Sequence, residues 1–82
     1  MDNMKFTVYS GTDCDRCEEV TAWLKDNEIS YVSFNIRTNE RAKDFLVGKG
    51  YRSIPQVYLN GFHVTGYKDY KKNISEALNK GG

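Results

Sequence analysis

Near the start of the chain a strand pattern, a helical stripe and a second strand pattern follow one another within about thirty residues, which restricts the fold more than any other feature. Lys5–Tyr9 alternates, with Phe6 and Val8 on one side, and stops at Ser10-Gly11, as a strand running into a loop does. From Cys14 to Asn27 the residues Cys17, Val20 and Leu24, flanked by Trp23, fall on one stripe at helical spacing, while Glu18, Glu19 and Lys25 lie elsewhere. Ile29–Ile36 then alternates through Val32, Phe34 and Ile36 in β-branched and aromatic residues. A unit of this length favours a right-handed crossover and parallel pairing of its strands. Thr12 or Asp13 is expected to cap the helix, because a side-chain oxygen there accepts from the first free backbone N–H groups, and Thr12 with Asp15 approximates a capping box.

The rest of the chain extends this α/β pattern. Asn39–Lys49 carries Ala42, Phe45 and Leu46 on one face and stops near Gly48 and Gly50, which predicts a second helix. Gln56–Leu59 and Phe62–Thr65 flank Asn60-Gly61, a pair suited to the two positive-φ positions of a tight hairpin turn. Asp69–Lys80 repeats Tyr70, Ile74, Ala77 and Leu78 at helical spacing, so a helix closes the chain, with residues 79–82 expected to fray. The expected order is β-α-β-α-β-β-α in a single domain over residues 1–82.

With 82 residues, such a domain buries only about 60% of the surface its unfolded chain exposes. No apolar run approaches the roughly 20 residues that span a bilayer, and Met1–Ser10 lacks an apolar signal centre, so a cytoplasmic location without a membrane partner is expected. Twelve basic residues against eleven acidic ones, spread along the chain, give no phosphate-binding surface and no expected nucleic-acid partner. A monomer is expected. Two cysteines separated by two residues would close a loop too small to stabilise much, so their purpose is read as chemical. A structural zinc site needs four N or S ligands and the chain offers Cys14, Cys17 and His63, so no resident metal or other bound cofactor is expected.

Residues three apart on a helix share a face, so the sulfurs of Cys14 and Cys17 can join reversibly without dismantling the helix. Cys14, at the helix end, meets the partial positive charge of unpaired N–H groups, which favours its thiolate, while Cys17 lies a turn deeper. Cys14 is therefore read as the attacking thiol and Cys17 as the resolving one. Arg16 favours the thiolate and Asp15 opposes it. A bare Cys-x-x-Cys pair also suits half a zinc ribbon, an iron–sulfur ligand set or two buried fillers; the preceding strand and the surrounding unit favour redox chemistry. Pro55 cannot donate to a ladder, and by frequency alone the Ile54–Pro55 bond would be trans. Tyr9, Tyr51 and Tyr67 suit the rim of a site and the cover of a small core equally. Trp23 reads as core, His63 as a surface histidine and Lys68–Lys72 as a solvated helix start.

Val8-Tyr9-Ser10, Cys14-Asp15-Arg16-Cys17, Ser53–Tyr58, Asn60-Gly61 and Val64-Thr65-Gly66 resemble the first strand, redox helix, cis-proline strand and glycine turn of the glutaredoxin branch of the thioredoxin-fold superfamily. The resemblance runs from Lys5 to Asn79. It implies a thioredoxin fold, with a four-stranded mixed sheet flanked by three helices, and a thiol–disulfide oxidoreductase whose redox-active disulfide is Cys14–Cys17. It further implies a cis bond at Pro55, with Ile54 and Pro55 presenting backbone to the substrate, and a binding surface of Thr12, Asp15, Arg16, Ser53, Ile54, Pro55, Gly66, Tyr67 and Lys68.

Gly50–Pro55 and Thr65–Lys68 look more like NrdH-type redoxins than like glutathione-using glutaredoxins. That likeness implies thioredoxin reductase as the electron source and ribonucleotide reductase, or another disulfide protein, as the acceptor. Lys68 stands where an acidic group would meet the γ-glutamyl ammonium of glutathione, and Gly11 replaces a family lysine. Gln56 is instead the glutaredoxin residue, Val64 and Asp69 depart from the redoxin pattern, and Asp15-Arg16 matches neither group's commonest pair. Two other readings stay open: a glutaredoxin with glutathione as co-substrate, and a binding protein sharing an iron–sulfur cluster or metal between two chains through Cys14.

Overall fold

Phe6 and Val8 are fully buried because their strand lies inside the sheet, paired on both sides. The structure, a computed structural model, describes residues 5–81. Its elements are β1 (Phe6–Ser10), α1 (Asp15–Asp26), β2 (Tyr31–Asn35), α2 (Glu40–Gly48), β3 (Gln56–Leu59), β4 (Phe62–Thr65) and α3 (Tyr70–Gly81). The sheet order is β2-β1-β3-β4. β1 pairs parallel to β2, and antiparallel pairing joins β3 to β1 and to β4. This is the mixed four-stranded sheet with three helices that the sequence implies, in the expected order.

The alternation of β1 and β3 divides the molecule into two layers. Phe6, Val8 and Val57 face one way and form a core with Val20 and Leu24 of α1 and Tyr70 and Ile74 of α3. Tyr9 and Tyr58 face the other way, towards α2, where Phe45 stacks on Tyr9 with centroids 5.2 Å apart and meets Tyr58 edge-on at 5.1 Å. Tyr9 and Tyr51 are thus part of an aromatic layer, Tyr51 meeting Tyr58 edge-on at 6.5 Å. Asn60 and Gly61 both take positive φ, 53° and 85°, as their dipeptide predicts for the β3–β4 turn.

Two local expectations are corrected. Cys14, not Thr12 or Asp13, is the N-cap of α1, its sulfur accepting from the Cys17 amide, so no Thr12–Asp15 capping box forms. Asp13 instead takes the left-handed conformation, φ 55°, and turns the chain so that the sulfur reaches the free N–H. β2 is shorter than the expected Ile29–Ile36, running Tyr31–Asn35, although the Ile36 amide still donates to the Ser10 carbonyl at 2.9 Å, and Phe34 is 38% exposed at the sheet edge. α3 runs through Asn79 and Lys80 to Gly81, and Gly82 lies outside the described residues.

The Tyr58 side chain is buried, and its hydroxyl has no hydrogen-bond partner among the described residues. An unsatisfied buried hydroxyl costs about 1–3 kcal/mol. Tyr58→Phe is therefore expected to stabilise the fold by about 1 kcal/mol in urea unfolding. Leu24→Ala, which empties a fully buried site, should lose about 2–5 kcal/mol.

Candidate active site

Cys14 and Cys17 are joined as a disulfide, with their Cα atoms 5.3 Å apart. Cys17 is 3% exposed, whereas Cys14 is only half-buried at the helix start. The Cys17 amide donates to Cys14 Sγ at 3.2 Å, so the sulfur occupies the place of a capping oxygen and receives a donor that α1 cannot use internally. The loop ahead of it is tied to the end of β2, where Asn35 Nδ2 donates to Thr12 Oγ1 at 3.2 Å. Ser10 Oγ donates to the Phe34 carbonyl at 3.3 Å in the same region. Thr12 therefore holds the loop in place of its expected capping duty.

The Ile54–Pro55 peptide is cis, as the resemblance implies against the general frequency of X-Pro bonds. Ile54 closes against the loop leading to the dithiol: a Cβ at Gly11 would lie 2.6 Å from Ile54 Cδ1, so a side chain at residue 11 would have to displace it. On the other side, a Cβ at Gly66 would lie 3.7 Å from the Pro55 carbonyl oxygen, which brings the turn after β4 against the proline. Gly11, Ile54-Pro55 and Gly66 thus meet where β1 ends and β3 begins. Ser53 is joined to this group through Gln56, whose Nε2 donates to the Ser53 carbonyl at 3.1 Å and to Ser53 Oγ at 3.2 Å.

That orientation of the Gln56 amide leaves Oε1 facing His63 Nε2 at 2.8 Å, so His63 carries its proton on Nε2 and donates it. The His63 ring also stacks on Tyr51, centroids 4.5 Å apart. Desolvation lowers its pKa from the ordinary imidazole value. His63 is exposed, as expected of a surface histidine, and from there it also holds the side chain of Gln56, the residue after Pro55.

The opposite rim is built from α1 and the start of α3. The Arg16 guanidinium lies over the Tyr67 ring, 5.1 Å from its centroid. Tyr67 and Tyr70 donate their hydroxyls to the two oxygens of Glu19, at 2.9 and 3.0 Å. Burial, followed by this bond, pushes the Tyr70 pKa up to about 12. Tyr67 is raised as well, first by its bond to Glu19. Trp23 is half-buried and meets Tyr70 edge-on at 5.7 Å. Asp15 and Lys68 are exposed, and Tyr67–Lys72 line an open basin of about 500 Å³. Sequence reasoning missed Glu19, because a surface glutamate at helical spacing carries no sign of partners 48 and 51 residues away.

Several comparisons bear on this arrangement. The family model for Glutaredoxin matches residues 6–64. The glutaredoxin-like protein NrdH of Lactococcus lactis subsp. cremoris is 29% identical over 62 residues, which cover 76% of this chain and 86% of the relative. A solved variant of the thioredoxin-like protein BC3987 superposes with a TM-score of 0.80 at 28% identity, over 90% of this chain and 94% of the other. NrdH-redoxin from Escherichia coli shares the fold, with a TM-score of 0.74 at 21% identity over 87% of this chain and 93% of that one. With its Cys-x-x-Cys pair at the head of α1 in a thioredoxin-like fold, the chain belongs to the glutaredoxin family of thiol–disulfide oxidoreductases.

Proposed function

We propose that this protein is an NrdH-like electron donor that reduces protein disulfides, with ribonucleotide reductase as its client and thioredoxin reductase as its source of electrons. The observation that carries the chemistry is the asymmetry of the pair: Cys14 is accessible at the helix cap and Cys17 is 3% exposed beneath it. In the reduced protein the Cys14 thiolate attacks a client disulfide, forming one S–S bond as the client's own breaks, and the departing client sulfur takes up a proton. Cys17 gives up its proton and attacks Cys14, the mixed disulfide breaks, and the second client thiol leaves. Two electrons have then passed to the client and Cys14–Cys17 is closed. NADPH, through the flavoprotein reductase, returns them. The Cys17 amide and the helix dipole both favour negative charge on Cys14 during this cycle.

Ser53, Ile54, Pro55, Gly66 and Tyr67 are the proposed docking surface for the client backbone, with Thr12, Asp15, Arg16 and Lys68 around the dithiol. The choice of thioredoxin reductase over glutathione is supported by the likeness to the Lactococcus lactis NrdH and by the net positive basin beside Tyr67, where Lys68, Lys71 and Lys72 outnumber the one acid, Asp69. A γ-glutamyl ammonium would meet like charge there. Cytoplasmic work in deoxyribonucleotide synthesis follows from this reading; no helix among the described residues is long and apolar enough to cross a membrane.

NADPH oxidation, coupled either to thioredoxin reductase or to glutathione with glutathione reductase, tests the proposal. Turnover through thioredoxin reductase alone supports it, turnover through glutathione alone moves the protein to the glutathione-dependent branch, and silence in both overturns the donor role. Cys17→Ser should accumulate a client adduct on Cys14 that mass spectrometry detects, and Cys14→Ser should form none. Lys68→Glu should raise glutathione-coupled turnover several-fold, since one charge contact near a protein surface is worth on the order of 1 kcal/mol.

A further inference from the structure

Glu19 sits on α1 one turn beyond Arg16, and both of its carboxylate oxygens are engaged. Oε1 accepts from the Tyr67 hydroxyl at 2.9 Å and Oε2 from the Tyr70 hydroxyl at 3.0 Å. The Tyr67 ring in turn lies under the Arg16 guanidinium, 5.1 Å away. A single carboxylate therefore links the helix that carries the dithiol to the turn after β4 and to the first residue of α3. Tyr70 is held independently by the core, being 5% exposed and edge-on to Trp23. Tyr67 is half-buried, packed against the edge of the core and tilted against the Tyr70 ring at 5.7 Å, and Glu19 adds the hydrogen bond that fixes its hydroxyl.

We propose that Glu19 is a positioning residue for client disulfides: it fixes Tyr67 at the rim of the site and, through that ring, holds Arg16 beside the dithiol. The inference rests on the oxidoreductase reading above and deepens it. Hydrogen bonds to a carboxylate are about twice as strong as neutral ones, which suits a single side chain to this restraint. A phenol donating to a carboxylate also has a more electron-rich ring, which strengthens its attraction for the guanidinium. Without Glu19, both Tyr67 and Arg16 must be ordered when a client arrives. That loss is paid in client binding, before sulfur exchange begins, so it falls on KM and leaves kcat alone.

Reduction of insulin, used as the protein-disulfide probe with whichever reductase supports the wild type, separates the possibilities. Glu19→Ala is expected to raise KM about fivefold with kcat changed by less than about twofold. Glu19→Gln keeps one acceptor oxygen and should fall between the two, which guards against a loss of fold in the alanine variant. Combining Glu19→Ala with Tyr67→Phe should be no worse than the poorer single variant, because both act through one contact. An unchanged KM in Glu19→Ala, a loss confined to kcat, or additive effects in the double variant would overturn the proposal. A wild type that reduces insulin with neither reductase removes the donor reading and this inference together, whereas an active wild type with an indistinguishable Glu19→Ala removes the inference alone.

Discussion

The position of β1 governs everything else in this molecule. It is hydrogen-bonded on both sides, parallel to β2 and antiparallel to β3, and its inward residues Phe6 and Val8 have no exposed surface. The strand cannot shift by one residue without turning Phe6 and Val8 out of the core and Thr7 and Tyr9 into it. Because the chain leaves β1 at Ser10 and enters α1 at Asp15, that fixed register also fixes where the first sulfur stands. β3 runs antiparallel on the same strand, with Gln56 opposite Tyr9, so its preceding proline arrives at the same end of the sheet. The dithiol and the proline turn meet because both are attached to one immobile strand.

The electrostatics of the site are supplied mainly by backbone. Cys14 combines two roles that are usually held by different atoms, capping the helix with its sulfur and forming half of the disulfide. The charged side chains around it, Asp13, Asp15, Arg16 and Glu18, are all exposed to water, which weakens their influence. Arg16 is the one among them with a defined seat, over Tyr67. The amide of Cys17 needs no such seat, since the helix itself points it at the sulfur.

Periodicity and short motifs made the architecture legible: the alternation of Phe6 and Val8, the stripe of Val20 and Leu24, and Asn60-Gly61 each report local geometry that the sequence order encodes directly. The Cys-x-x-Cys pair was legible for the same reason. The capping role was misassigned because Thr12 and Asp13 are the ordinary choices, while the positive φ of Asp13, which brings the sulfur of Cys14 into their place, follows from the path of the loop in space. Gln56 with His63 and Glu19 with Tyr67 and Tyr70 were illegible on stronger grounds. Each pairs polar residues on different elements, and no local pattern distinguishes a glutamate that holds two phenols from one that faces water. The cis bond at Pro55 lay between these cases, being visible through likeness to a family and invisible to frequency.

The two layers are unequally anchored. α1 contributes Cys17, Val20 and Leu24 to the interior, while α2 contributes Ala42 and Leu46 and leans on an aromatic sheet face whose edge residue, Phe34, is partly open. Native-state hydrogen exchange in such a molecule should be ordered accordingly, the amides of α2 opening in a small unit of their own while those of β1, β3 and α1 exchange only through global unfolding. The chain can then breathe on the side away from Val20 and Leu24 and keep its sulfurs registered throughout.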